Sequence, residues 1–185
     1  EKAEAHGLKI TAIENEVSLW AYDPVFMQLC RELNIGVIAY SPLGRGFFTA
    51  EANADFVGAM PADDFRRSLP RFKTYFEENL LARKALELLL DELPIDSLAE
   101  LSLAWLSNLS EGVVAIPGTS SILHLQSNIQ SATQVLSEEH MRLISETVLH
   151  LSFQGDRYPK PEAEKQAVAH ERKVEAADAR RAAQI

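Results

Sequence analysis

Cysteine is almost absent: Cys30 stands alone in 185 residues. A single thiol excludes an internal disulfide and any zinc site built on paired cysteines, and it suits a reducing, cytoplasmic setting. No run of about 18 apolar residues occurs, so no stretch is expected to span a membrane. The opening residues, Glu1-Lys2-Ala3-Glu4, lack the basic region and apolar stretch of a secretory signal. Positive charge is also scarce. There are 18 Lys+Arg against 27 Asp+Glu, a formal net charge of −9. That balance disfavours nucleic acid as a partner, because phosphate neutralisation needs clustered Lys and Arg. His6, His124, His140, His150 and His170 show no metal-ligand spacing. Neither a P-loop nor a GxGxxG pattern is present.

What remains is an ordinary globular composition, 46% hydrophobic and 24% charged. Residues 9–13 (KITAI), 35–40 (IGVIAY) and 113–116 (VVAI) read as strands. The continuous apolar runs suggest strands covered on both faces, as in parallel sheets. Asp23-Pro24 has the form of an N-cap followed by proline in the first helical position. Phe26, Leu29, Cys30 and Leu33 then fall on one helix face, which makes Cys30 a small core residue. Residues 9–40 are thus a strand–helix–strand unit with a short connection suited to a parallel crossover.

Residues 49–73, with Gly58, Pro61 and Pro70, read as a long loop of the kind that often carries function. Residues 77–92 predict a helix with Leu81, Ala85, Leu88 and Leu89 as its apolar stripe, stopped by Pro94. Ser97-x-x-Glu100 has capping-box spacing and opens a helix through Trp105 to Leu109. A further helix starts near Ile122. Ser137 caps a last one, with Met141, Ile144, Val148 and Leu151 on one face. Pro159 and Pro161 mark a domain edge. We therefore divide the chain into one domain, residues 1–158, and a charged, Ala-rich tail, residues 159–185, either helical or disordered. The fold class is α/β wound in one direction. A closed (β/α)8 barrel needs about 250 residues and eight strands, so the chain reads as part of a barrel or as a small open sheet.

Two strand-to-loop junctions could carry chemistry. Tyr40-Ser41-Pro42-Leu43-Gly44-Arg45-Gly46 follows the strongest strand. Its glycines allow close backbone approach to a ligand, Arg45 adds positive charge, and Tyr40 offers an aromatic face at the strand's carboxyl end. A tight turn with a surface arginine would look the same. Gly118-Thr119-Ser120-Ser121 lies between a strand and a helix N-terminus, where free N–H groups and the helix dipole favour an anion. Simple serine capping is the plain alternative. Glu14 and Glu16 alternate past the first strand, either as an acid–base pair or as hydrogen-bond acceptors. Trp20 and Trp105 are expected to pack.

Three separated stretches resemble the aldo-keto reductases: Ile13-Glu14-Asn15-Glu16-Val17-Ser18-Leu19-Trp20, Ala39-Tyr40-Ser41-Pro42-Leu43-Gly44-Arg45-Gly46-Phe47, and Ile116-Pro117-Gly118-Thr119 with Asn128 downstream. The likeness runs in order from about residue 8 to residue 151. Asp64-Phe65-Arg66-Arg67, Pro70-Arg71-Phe72 and Gly155-Asp156-Arg157-Tyr158 look most like fungal pyridoxal reductase-like members. The resemblance implies a (β/α)8 TIM barrel that binds NADP(H) and moves hydride to an aldehyde or ketone, pyridoxal among them. It places this chain in the C-terminal half of that barrel, strands 6–8 with their helices. The family's catalytic Asp, Tyr, Lys and His belong to the other half, and no residue here takes those roles.

Cofactor contacts do carry over by resemblance. Tyr40 matches the aromatic that stacks on nicotinamide. Ser41, Pro42, Leu43, Gly44 and Arg45 match the loop around the pyrophosphate. Gly118, Thr119 and Ser120 match the loop at the adenosine 2′-phosphate, and Asn128 matches the adenine-binding residue. Arg67, with Arg66 as the neighbouring option, resembles a basic residue of the long loop over the cofactor. Glu14 stands where many members have Gln at the carboxamide. His124 stands near the 2′-phosphate where relatives often carry Arg or Lys, which weakens the preference for NADP over NAD. The expected partner is a small-molecule carbonyl substrate of the complete enzyme, without nucleic acid or membrane. Two other readings stand beside it: a non-catalytic NADP-binding regulatory module, and a vestigial truncated product whose open sheet edge invites pairing.

Overall fold

A computed structural model of the chain describes residues 6–110 and 112–159. Apart from Pro159, the expected tail lies outside the described residues. Strands β1 (Ala12–Glu16), β2 (Gly36–Tyr40) and β3 (Val113–Ala115) form one parallel sheet in the order β1-β2-β3. β1 begins later than the KITAI run suggested and ends on Glu14-Asn15-Glu16, because pairing runs from Ala12↔Gly36 to Glu16↔Tyr40. Backbone pairing sets that register, and the two glutamates disguise it.

Cover on both faces of the sheet is not what the described residues show. Val37 and Ala39 are buried, in register with Val113 and Ala115. On the opposite face Glu14 and Val114 are exposed, and Ile38 and Tyr40 are half-buried. A closed barrel fills that second face with layers of side chains from other strands. Three strands leave it open.

Helix α1 (Pro24–Glu32) starts as expected: Asp23 Oδ1 accepts from the N–H groups of Val25 at 2.9 Å and Phe26 at 3.1 Å. Its buried face, however, is Met27 and Cys30, while Leu29 and Leu33 are exposed. The helix end fixes this rotation. Asn34 is left-handed (φ 52°), and Ile35 N–H donates to Cys30 O while Asn34 N–H donates to Arg31 O, a Schellman closure that leads straight into β2.

The 49–73 stretch is not a plain loop. It contains α2 (Phe56–Ala59), a 3₁₀ turn (Phe65–Ser68) and α3 (Pro70–Lys73). Helix α4 (Phe76–Leu89) runs into a 3₁₀ turn (Leu90–Glu92). Its stripe also differs from expectation, for Leu86 and Leu89 are buried while Leu81 and Leu88 face solvent. Adjacent leucines at 80–81 and 88–89 of this helix made its inner face ambiguous.

Helix α5 (Leu98–Leu109) is the core of the sheet-bearing unit. Leu101, Leu103, Ala104, Trp105 and Leu106 are almost wholly buried, so the helix is apolar all round. Ser97 Oγ accepts from Glu100 N–H at 3.2 Å, as the capping box predicts, while the Glu100 carboxylate reaches one residue further back than that motif, to Asp96 N–H at 3.0 Å. Trp105 packs edge-on against Tyr22, and its indole N–H donates to Ser145 at 3.1 Å. Ser145 belongs to α7 (Glu138–His150), which Ser137 caps and which buries Ile144 and Val148. Between them lies α6 (Ile122–Ala132), whose buried residues are polar, Asn128 and Ser131. Among the described residues, no helix is long and apolar enough to cross a membrane.

The described residues fall into two compact units. Residues 6–56 and 80–152 form the sheet-bearing unit. Residues 57–79 and 153–159 form the second, organised around buried Asn79. The Asn79 amide donates to Gln154 O at 3.0 Å and accepts from Gln154 N–H at 2.7 Å. Arg71 donates to Gly155 O at 3.2 Å. Truncating the centre of α5 by Leu101→Ala should cost about 2–5 kcal/mol, read as a lowered urea midpoint.

Candidate functional site

Parallel pairing of β2 with β3 sends the two expected loops out of the same end of the sheet, side by side. Ile116 N–H donates to Ala39 O at 3.1 Å, tying the two exits together. The loop after β2 also comes within electrostatic reach of α6. The Glu51 carboxyl is held below its ordinary range by neighbouring Thr49 and, more weakly, by His124 in the first turn of α6.

The loop after β2 is shaped by left-handed backbone at Ser41 (φ 49°), Gly44 (58°), Arg45 (58°) and Gly46 (93°). For the two non-glycine residues that conformation costs about 1–2 kcal/mol each. The N–H groups of Gly44, Gly46, Phe47, Phe48 and Thr49 close the loop on itself, onto carbonyls of Ser41, Leu43, Gly44 and Gly46. Side chains from three directions hold it. Buried Ser102 of α5 donates to Pro42 O at 2.6 Å. Arg83 of α4 donates to Phe47 O at 2.8 Å and Ala52 O at 2.7 Å, and pairs with Glu87 at 2.8 Å. Trp20 stacks on Phe47 with ring centroids 4.6 Å apart and meets Phe48 edge-on.

Arg83 and Ser102 were not legible as site residues. Arg83 with Glu87 has the spacing of an ordinary solvated helix pair, and its one cue is its position three residues before buried Leu86. Ser102 is the one hydroxyl in the apolar first half of α5.

Glu16 and Arg45 face each other at the sheet's lip. Glu16 Oε2 lies 4.0 Å from Arg45 Nη2, with side-chain exposures of 1% and 9%. Glu16 Oε1 accepts from the Trp20 indole N–H at 3.2 Å. Of the alternatives for the glutamate pair, Glu16 is a buried acceptor. Glu14 is exposed on the open face of the sheet, beside its register partner Ile38. Tyr40 is half-buried at the end of β2, opposite Glu16.

On the α6 side, Gly118, Thr119, Ser120 and His124 are exposed. Ser121 caps the helix by accepting from His124 N–H at 3.3 Å, and Thr119 Oγ1 accepts from Ser121 N–H at 3.1 Å. Capping is therefore Ser121's task, which leaves the hydroxyls of Thr119 and Ser120 on the surface. Asn128, one and a half turns on, is 8% exposed, and its Nδ2 has no hydrogen-bond partner among the described residues. Arg67 belongs to the second unit, where its guanidinium donates to Val57 O at 2.7 Å and Met60 O at 3.0 Å.

A cavity of about 300 Å³ lies at the other end of β2, lined by residues that include Met27, Cys30, Val37 and Gly112. Burial pushes the Cys30 thiol up, the wrong direction for a nucleophile.

Comparisons with known proteins show the family and the fold. The sequence pattern described as "Aldo/keto reductase family" matches residues 1–148. The chain belongs to the aldo/keto reductase family. It is 39% identical over 160 residues to the probable aldo-keto reductase 1 of Glycine max, covering 83% of this chain and 44% of that protein. Its fold resembles the glycerol dehydrogenase of Gluconobacter oxydans (TM-score 0.65, 20% identity, 82% of this chain and 46% of that one). It also resembles an aldo-keto reductase of Bacillus halodurans solved in its holo form (TM-score 0.51, 21% identity, 84% and 48%). The chain thus spans less than half the length of the relatives it matches. The three-stranded parallel sheet with its helices is part of an α/β TIM-barrel-type fold.

Gly44 tests the loop's geometry directly. A Cβ there would stand 2.9 Å from the Phe48 ring and 3.1 Å from Trp20, on a backbone already at φ +58°, whereas a Cβ at Gly118 meets nothing within 4 Å. Gly44→Ala should destabilise by about 2 kcal/mol and Gly118→Ala by no more than about 0.5 kcal/mol, compared as urea midpoints.

Proposed function

We propose that this chain is the cofactor-binding part of an NADP(H)-dependent aldo-keto reductase, and that it corresponds to the C-terminal half of the barrel, strands 6–8. The observation that carries the reading is Asn128, a buried amide whose donor has no partner among the described residues, on the helix that follows the second of two adjacent loops. A buried donor without a partner costs about 1–3 kcal/mol, so its retention points to a ligand acceptor, and an adenine nitrogen suits an amide.

The other contacts follow the sheet's lip. Tyr40 offers a ring face for nicotinamide, with Glu14 on the same sheet face for the carboxamide. Ser41, Pro42, Leu43, Gly44 and Arg45 form the preorganised rim for the pyrophosphate. Gly118, Thr119 and Ser120 take the 2′-phosphate with surface hydroxyls and the end of α6, His124 standing where a permanent cation would strengthen it. Arg67 is assigned to the loop that covers the cofactor. When bound, NADP(H) supplies the hydride that reduces an aldehyde or ketone, and the pyridoxal reductase-like motifs make pyridoxal the first substrate to try. This chain's own residues bind and orient the cofactor. The acid, base and orienting residues of the reaction lie outside it, so the chain alone turns over no carbonyl.

Titration of the chain with NADPH should give saturable quenching or enhancement of the dinucleotide's fluorescence without pyridoxal turnover. Asn128→Leu should raise the Kd about tenfold while the urea midpoint stays or rises, because the stranded donor is gone. Absence of saturation sinks the binding reading, and turnover by the chain alone sinks the division of labour.

A further inference from the structure

We propose that Glu16 is a positioning residue for the dinucleotide: its buried carboxylate holds the Arg45 guanidinium and thereby fixes the Gly44-Arg45-Gly46 turn that faces the pyrophosphate. The proposal rests on the dinucleotide reading above and adds to it a residue outside the loop itself. Glu16 ends β1 and is the register partner of Tyr40, so the sheet places it at the lip. One carboxylate oxygen takes the Trp20 N–H at 3.2 Å and the other faces Arg45 at 4.0 Å. Trp20 in turn stacks on Phe47, directly after the turn. Glu16 therefore joins the end of β1 to the turn and, through Trp20, to the residue that follows it.

The backbone explains why this matters. Arg45 sits at φ 58° and ψ 34°, a conformation unfavourable for an L-residue that persists where its surroundings hold it. The Glu16 carboxylate is an acidic group set against that guanidinium in a nearly closed environment. With its charge compensated from behind, Arg45 is not a mobile cation reaching for phosphate. The loop offers a fixed shape, and affinity comes from preorganisation.

The test is equilibrium binding of two probes to the full chain, NADPH and adenosine 2′-monophosphate, the latter reaching only the 118–120 side. Glu16→Gln is expected to weaken NADPH about tenfold, within the range for coupled neighbours, and to leave adenosine 2′-monophosphate unchanged. Arg45→Gly suits the left-handed backbone and serves if Glu16→Gln does not fold. It should give the same NADPH-selective loss, and the double variant should bind no more weakly than Arg45→Gly alone. Wild-type binding that neither variant alters, equal weakening of both probes, or additive losses in the double variant overturns the proposal and leaves the cofactor reading intact. No saturable NADPH binding by the wild type overturns both.

Discussion

Because β2 pairs in parallel with a strand on each side, all three strands deliver their carboxyl ends to one lip. Everything of chemical interest depends on that. The loop after β2 and the Pro117–Ser121 segment after β3 are distant in sequence yet leave the sheet as neighbours, joined by the Ile116–Ala39 hydrogen bond. Antiparallel pairing of either edge would have sent one of them to the opposite end. The same direction puts Glu16 beside Tyr40, within reach of a loop that starts one residue later.

The loop after β2 shows how local strain is sustained. Left-handed residues at Ser41 and Arg45 are unfavourable alone, and side chains from outside the loop add to its internal hydrogen bonds. Ser102, Arg83 and the Glu16–Trp20 stretch come from three different segments and hold the loop at Pro42, Arg45, Phe47 and Ala52. Such over-determination is the usual companion of strained backbone near functional sites. It also makes the loop rigid before any ligand arrives, which lowers the entropy that binding has to overcome.

Much of this was legible in the residues. Asp23-Pro24, Ser97-x-x-Glu100 and Ser137 marked helix starts because capping is local chemistry, and the structure shows each in place. The two loop motifs were found where the sheet now brings them together. Rotation of the helices was less readable. In α1 Cys30 is buried as expected, but Met27 shares that face with it in place of Leu29 and Leu33, as the helix runs through the Schellman turn at Asn34 into β2. In α4 abundant leucine offered several faces, and tertiary packing chose Leu86 and Leu89. The apolar runs in the strands suggested two covered faces, whereas Val114 is 59% exposed. That pattern belongs to a barrel's interior, which three strands cannot enclose. Arg83 and Ser102 act on a loop far away in sequence, and pattern alone carries no signal for such partners.

Helix α6 has its polarity reversed. Asn128 and Ser131 are turned inward, and Ile122, Leu125 and Ile129 line the outside, all well exposed. Contiguous oil on a water-facing helix is what chaperones grip and what drives monomers to clump. Hiding that stripe is therefore a demand on this chain separate from packing the core around Trp105.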